Sequence, residues 1–343
     1  MRRTLLLASV VSVTMPSLGP VPAVAVAAPV VAAVAAPVDT CVVDGRGVVD
    51  KGIVVWSARE GGVPVAQFAS QEVVLSVSEW PVETAGRARV RIGKAAGAVR
   101  LEGWVEATKI PISARRDLPV VAGHVSVARG QPLDLRGARG GKLAVSTSIF
   151  ATGQKVDALA ACDAIAIGRQ RVENGSIPDA AARFVSKEAT LALFDAAAGK
   201  QIHELRLPGP KSGLLFWSTE RSGGFVRIKH GPPLVIDAWA REEALAPFPK
   251  GELLDSVAPS VIVTTSAPQL KVEGSTKTIK VARDSPLRLA AEPTAKPIGI
   301  VEEGAELIVV DTVAEWSRIF PKGLELVPPD GKDFWVRTRD VAP

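Results

Sequence analysis

A short string built around tryptophan returns three times in this chain: GWVEATKI at residues 103–110, AWAREEAL at 238–245 and FWVRTRDV at 334–341. Val or Ala follows each indole (Trp104, Trp239, Trp335), and an aliphatic residue (Ile110, Leu245, Val341) stands six positions later. A degenerate fourth copy, LAACDAI at 159–165, has Leu159 in the aromatic slot and Ile165 at the close. A recurring string of this kind marks a chain made of small, similar supersecondary units. The last two copies also agree upstream. VSKEATLALF starts at Val185 and VARDSPLRLA at Val281, an offset of 281 − 185 = 96, and the tryptophans give 335 − 239 = 96 as well.

Each copy reads as short strands between turn signals. In the last copy PLRLAA is an apolar strand, EPTAKP a loop, IGIVEEGAELIVVD two strands about a Glu-Glu-Gly turn, and VPPDGKD a Pro/Asp/Gly turn before the final strand. Val, Ile and Trp suit a pleated, half-buried surface. The expectation is an all-β chain of about four small closed barrels, the first two divergent, each with a core that is marginal alone. The expected organisation is an N-terminal segment at 1–36, barrels at 37–110, 111–170, 183–246 and 277–343, and a linker at 247–276; residues 171–182 read as a second linker. Only IPDAAARFV and REEALAP invite helix, and both are short.

The N-terminal segment reads as a secretory signal. Arg2 and Arg3 precede an uncharged, largely apolar run at residues 4–15, and small residues follow around 25–27 and 34–36. The run is shorter than the roughly 20 residues that span a bilayer. An uncleaved anchor is the alternative, against which the prolines at 16, 20, 22, 29 and 37 argue. No integral membrane span is expected, and the location is secreted or periplasmic. The formal charge of +5 comes from cations scattered among acids, so no nucleic-acid stripe is present. In an exported chain the two cysteines, Cys41 and Cys162, suggest one disulfide; two buried free thiols are the alternative.

The segment LRLAAEPTAKPIGIVEEGAELIVVD…EWSRIF…FWVRTRDV resembles a bacterial SH3-like (SH3b) domain, and LALFDAAAG resembles the opening strand and first loop of such domains. The match is good for residues 278–341, fair for 185–245 and weak for the first two copies. The resemblance implies a partly open five- to six-stranded barrel that binds cell-wall peptidoglycan or peptides, here with no hydrolase domain beside it. It also implies groove aromatics. Trp316 lies three residues before Ile319 and Phe225 three before Ile228, so each faces away from its aliphatic neighbour; Phe194 holds another groove position. The matching slots in the first two copies are Arg89 and Lys142. The chain departs from the family in having no tyrosine, and residues 106, 109, 337 and 340 replace the usual closing proline and tyrosine. The alternative is that Trp316 and Phe225 are covered by a neighbouring barrel. For Trp104, Trp239 and Trp335 packing is the expectation.

Catalytic chemistry finds little support in the residues. Cys162 with His124, His203 or His230 is the sole thiol–imidazole pairing, and Cys162 lies in an apolar strand without the cationic setting that lowers a thiol pKa. The isolated histidines and distant cysteines lack metal-ligand spacing, so no metal or cofactor is expected. Gly140-Gly141-Lys142 lacks the rest of a phosphate loop. The leading expectation is an exported, non-catalytic protein that binds peptidoglycan or an envelope protein or peptide. A purely architectural protein is the second, and a secreted hydrolase using Cys162 the third.

Overall fold

The structure, a computed structural model, describes residues 38–50, 52–69, 72–93, 99–149, 154–172, 176–207, 214–248, 277–323 and 326–341. The N-terminal segment and the 249–276 part of the expected linker lie outside these residues. The first repeat holds β1 (Val38–Val48), β2 (Val54–Trp56), β3 (Pro64–Phe68), β4 (Glu72–Pro81), β5 (Arg87–Ile92) and β6 (Val99–Glu106). The second holds β7 (Ile112–Ala114), β8 (Leu118–Val121), β9 (Val125–Val127), β10 (Pro132–Arg139), β11 (Lys142–Ile149), β12 (Gln154–Ala161) and β13 (Ile165–Ile167). The third holds β14 (Ala182–Ser186), β15 (Thr190–Phe194), β16 (Gln201–Arg206), β17 (Phe216–Ser222), β18 (Phe225–His230), β19 (Leu234–Arg241) and β20 (Leu245–Pro247). The fourth holds β21 (Lys277–Lys280), β22 (Ser285–Leu287), β23 (Gly299–Val301), β24 (Glu306–Val313), β25 (Trp316–Pro321), β26 (Leu326–Val327) and β27 (Phe334–Arg337). The chain is all-β, and among the described residues every helical turn is a short 3-10 turn. One of these, at Glu242–Ala244, lies within REEALAP, while ARFV in the other helix-inviting string is part of strand β14.

The recurring string owes its spacing to one structural device. A 3-10 turn begins three residues after each indole or its leucine substitute, at Ala107, Cys162, Glu242 and Thr338. The aliphatic residue six positions on caps that turn and donates its N–H to the turn's first carbonyl. It then faces the repeat's opening strand in three copies: Ala114↔Ile165, Ser186↔Leu245 and Val281↔Val341. These pairs make Ser186, not Val185, the counterpart of Val281. The upstream offset is therefore 281 − 186 = 95, one less than between the tryptophans.

Among the described residues no sheet closes on itself, and each hydrogen-bonded path is open. This departs from the expected closed barrels, and the reason is that strands are shared between repeats. In repeats one and three the opening hairpin crosses its own indole strand, through Trp56↔Trp104 and Phe194↔Trp239. Repeat four makes the same crossing at Arg288↔Trp335, and in repeats two and four the hairpin adds to another repeat: β9 pairs with β19, and β23 pairs with β6. β26 adds in turn to β3. Units with cores this small gain by completing a neighbour's sheet, because the shared strand removes apolar surface and an open edge together.

Repeats one and two are joined differently. The disulfide Cys41–Cys162 ties β1 to the 3-10 turn of the second repeat, with Cα atoms 5.6 Å apart. Trp80 is fully buried and donates its indole N–H to the Cys41 carbonyl at 2.7 Å. β1 also runs against β13 so closely that a Cβ at Gly47 would lie 2.4 Å from the Ile167 carbonyl oxygen. Only glycine allows that approach.

Two imidazoles in the third repeat tie its stability to pH. Burial pushes His203 below its ordinary pKa, and burial does the same to His230 although its contact with the Leu215 carbonyl opposes the shift. The unfolded chain then takes up protons near pH 6.5, roughly the ordinary imidazole value, that the folded chain takes up only at lower pH. The stability of this repeat is expected to be complete above about pH 6.5 and to fall as the pH drops toward the folded pKa values. Urea midpoints from pH 7.5 to 5 should show a flatter slope for the His203→Gln/His230→Gln variant than for the wild type.

Candidate functional site: the ring position beside the indole strand

Strand registers align the copies residue by residue. Arg89 faces Trp104, Arg227 faces Trp239 and Arg318 faces Trp335. Carboxylates flank each guanidinium. Arg89 lies 2.9 Å from Glu79 and 3.4 Å from Glu102; Arg227 lies 3.1 Å from Glu220 and 2.7 Å from Asp237; Arg318 lies 4.0 Å from Asp311 and 3.6 Å from Asp333. The hydrogen bonds that Arg227 donates to Asp237 and Glu220 raise its pKa above the ordinary value. In the second copy Ala144 faces Leu159, so the cation and the indole are lost together. These exposed clusters are cross-strand supports of the sheet face, each worth about 0.2–1 kcal/mol per pair.

The residue two places after the indole fixes a second slot. Arg87 faces Glu106, Lys142 faces Ala161, Phe225 faces Arg241 and Trp316 faces Arg337. The first-copy counterpart of Phe225 and Trp316 is therefore Arg87 rather than Arg89. The error has a physical source: Ala88, Val90 and Ile92 all point inward and are buried, so alternation alone cannot say which of them matches Ile228. Val90 does, since it faces Gly103, as Ile228 faces Ala238.

A third slot is the residue that crosses the indole: Trp56, Phe194 and Arg288. In three copies the second and third slots touch. The Arg87 guanidinium lies 3.9 Å from the Trp56 ring centroid, Phe194 and Phe225 meet edge to face at 5.3 Å and 81°, and Arg288 lies 5.9 Å from the Trp316 ring. Trp56 escaped the sequence reading although the signal was present. Gly61 follows it by five residues, as Gly199 follows Phe194.

The three candidate groove residues fare differently. Trp316 is only 3% exposed, with Arg337 5.1 Å and Arg288 5.9 Å from its ring centroid. A hydrogen bond from Arg288 to the Ala295 carbonyl holds that side chain in place. Trp316 lies outside the main core cluster that holds Ile319, but it offers no open ring. Phe194 is 8% exposed and supports Phe225, which is half-buried. Both rings line a cleft of about 660 Å³ with Gly199 and Gly224 at its edges and Arg241, Glu242 and Glu243 along its rim. The corresponding slots of the first copy, Trp56, Glu106 and Thr108, line a cleft of about 710 Å³ whose far wall comes from the second repeat through Pro132, Leu133 and Lys155.

Cys162 is bound to Cys41, and no cysteine is free. The thiol nucleophile that a hydrolase would have drawn on at Cys162 is thus consumed. His203 lies in β16 and His230 at the end of β18, while His124 contacts the Asp237 carbonyl at 3.1 Å. Among the described residues no three His, Cys, Asp or Glu side chains gather as a metal site would require, and no helix is long and apolar enough to cross a membrane. Comparison of the chain with protein-family models, with curated proteins and with solved structures finds no match.

Proposed function

We propose that this is an exported, non-catalytic protein of SH3b-like repeats that binds peptidoglycan or a peptide of the cell envelope at the cleft beside Phe194 and Phe225. The paired rings carry the reading. An edge-to-face pair fixed by packing offers a rigid apolar floor, and Arg241 and Glu243 supply charged groups of both signs at its rim. A polar, flexible ligand such as a peptide stem gains from a floor that is already ordered. Export is supported by the basic and apolar start of the chain and by a disulfide of the kind that persists in oxidising compartments.

Removing the more open ring tests the site. Phe225→Ala is expected to weaken capture by purified sacculi, or the affinity for soluble peptidoglycan fragments in calorimetry, by about tenfold. The exposed control Val313→Ser should leave both unchanged. Equal binding by wild type and Phe225→Ala would remove the cleft from the reading. The architectural reading keeps one specific observation in its favour, the cover over Trp316. It predicts no binding of either ligand class by the wild-type chain.

A further inference from the structure

The positions that line the Phe194 cleft of the third repeat recur around the larger cleft of the first. Phe194, Arg241 and Glu243 correspond to Trp56, Glu106 and Thr108, and each trio lines its own cleft. The third repeat alone lines the cleft at Phe194. The cleft at Trp56 has a second wall, which β10 of the second repeat supplies.

Several contacts hold that wall against the first repeat. The Thr84 hydroxyl, at the tip of the hairpin between β4 and β5, donates to the Arg136 carbonyl on β10 at 3.0 Å. Beside it the two backbones touch, since a Cβ at Gly137 would lie 2.1 Å from the Val82 carbonyl oxygen. Asp50 and Arg169 approach to 3.6 Å and join the segments that follow β1 and β13. The Cys41–Cys162 bond ties the same two repeats covalently. A cleft whose walls are fixed in advance costs a ligand little ordering.

The lining combines apolar surface with charge of both signs. Ile110, Ile112, Leu133 and Leu135 supply the apolar part. Glu106 at the end of β6, Lys109 at the end of the next 3-10 turn and Asp134 on β10 supply the charge. All three are exposed, and none makes an ion pair among the described residues. Arg87 faces Glu106 across the ladder, but its guanidinium lies over Trp56 and donates to the Ala58 carbonyl at 2.9 Å. The remaining charges of the lining are engaged or balanced: Asp50 by Arg169, Arg136 by the Ser146 hydroxyl at 2.8 Å, and Lys155 by Asp157 on the same strand face.

We propose that this cleft is a second binding site, for a peptide segment that carries side chains of both charges. Its small apolar groups lie on the isoleucine and leucine lining, its cation meets Glu106 and Asp134, and its anion meets Lys109. An uncharged glycan would cover these three groups without pairing them, whereas such a peptide pairs them as it removes their water. The site shares a class of ligand with the cleft at Phe225 and none of its residues.

The probe is the tetrapeptide Ala-Glu-Lys-Ala, capped at both ends, titrated calorimetrically into the full-length chain. Saturable binding is expected. Glu106→Lys and Lys109→Glu should each weaken it about tenfold, and more at low salt. Thr108→Trp, which fills the mouth from an exposed turn, should remove it. All three positions are exposed, so these variants are expected to melt as the wild type does. Capped Ala-Gln-Gln-Ala should bind about tenfold more weakly than the charged peptide. Phe225→Ala in the same titration separates the two clefts. Dependence on Phe225 with indifference to Glu106 and Thr108 would overturn the second site and leave the reading at Phe225 standing. Absence of saturable binding, or equal binding of the two peptides, would also overturn the second site, while capture by sacculi would still decide the first.

Discussion

Replacing Cys41 and Cys162 together by serine is expected to cost about 4 kcal/mol of stability, because the bond closes a loop of 121 residues in the unfolded chain. At a few degrees per kcal/mol, the first two repeats should melt on the order of 10 °C lower. The loss should be largely independent of salt and should be reproduced by reducing agent acting on the wild type. The register of β1 on β4 explains why the effect should remain local: Cys41 lies at the register shift between Thr40 and Val43, so the loss of its bond loosens β1 before it reaches β19 or β27. A double serine variant that melts with the wild type would mean that packing of β1 on β13 already holds the two repeats.

Trp80→Ala is the second large effect. The side chain is fully buried in the first repeat, and its N–H is bonded to the carbonyl of Cys41. Truncation opens a cavity, which for a large aromatic costs about 3–5 kcal/mol. It also leaves the Cys41 carbonyl without this donor, roughly another 1 kcal/mol. Trp80→Phe keeps most of the volume and should lose only about 1–2 kcal/mol, chiefly the hydrogen bond. Urea denaturation of both variants separates the two contributions. Because Trp80 and the disulfide act on the same residue of β1, the Trp80 and cysteine substitutions should not be additive in a double-mutant cycle. Additivity would argue that the indole supports β4 alone.

The sequence carried the periodic features of this fold, and the reason is local. The spacing from Trp104 to Ile110, and its three echoes, is set by one 3-10 turn and its cap, so it is written in consecutive residues. The all-β class followed from short β-branched runs between turn residues. Strand sharing was not legible, because the partners of β6 lie far away at β23, and alternation within a strand is silent about which edge meets which. The same silence placed Arg89 where Arg87 belongs. Strand alternation set Trp316 apart from Ile319, and Trp316 does lie outside the main core cluster, yet it is buried. Its cover depends on Arg288 and Arg337, which come from two other strands and whose reach no local pattern encodes. Trp56 was missed because its partner in the site is a guanidinium rather than a second ring.

The exchange of hairpins has a consequence for the order in which the molecule can be finished. β6 ends at Glu106, yet the strand that completes its edge begins at Gly299. A chain emerging from its N-terminus therefore completes the second and third repeats, whose donor and acceptor are nearer in sequence, while the first still waits. Distant pairings of this kind form slowly, and an unfinished edge invites wrong partners during synthesis. The last repeat thus acts as the keystone of the first.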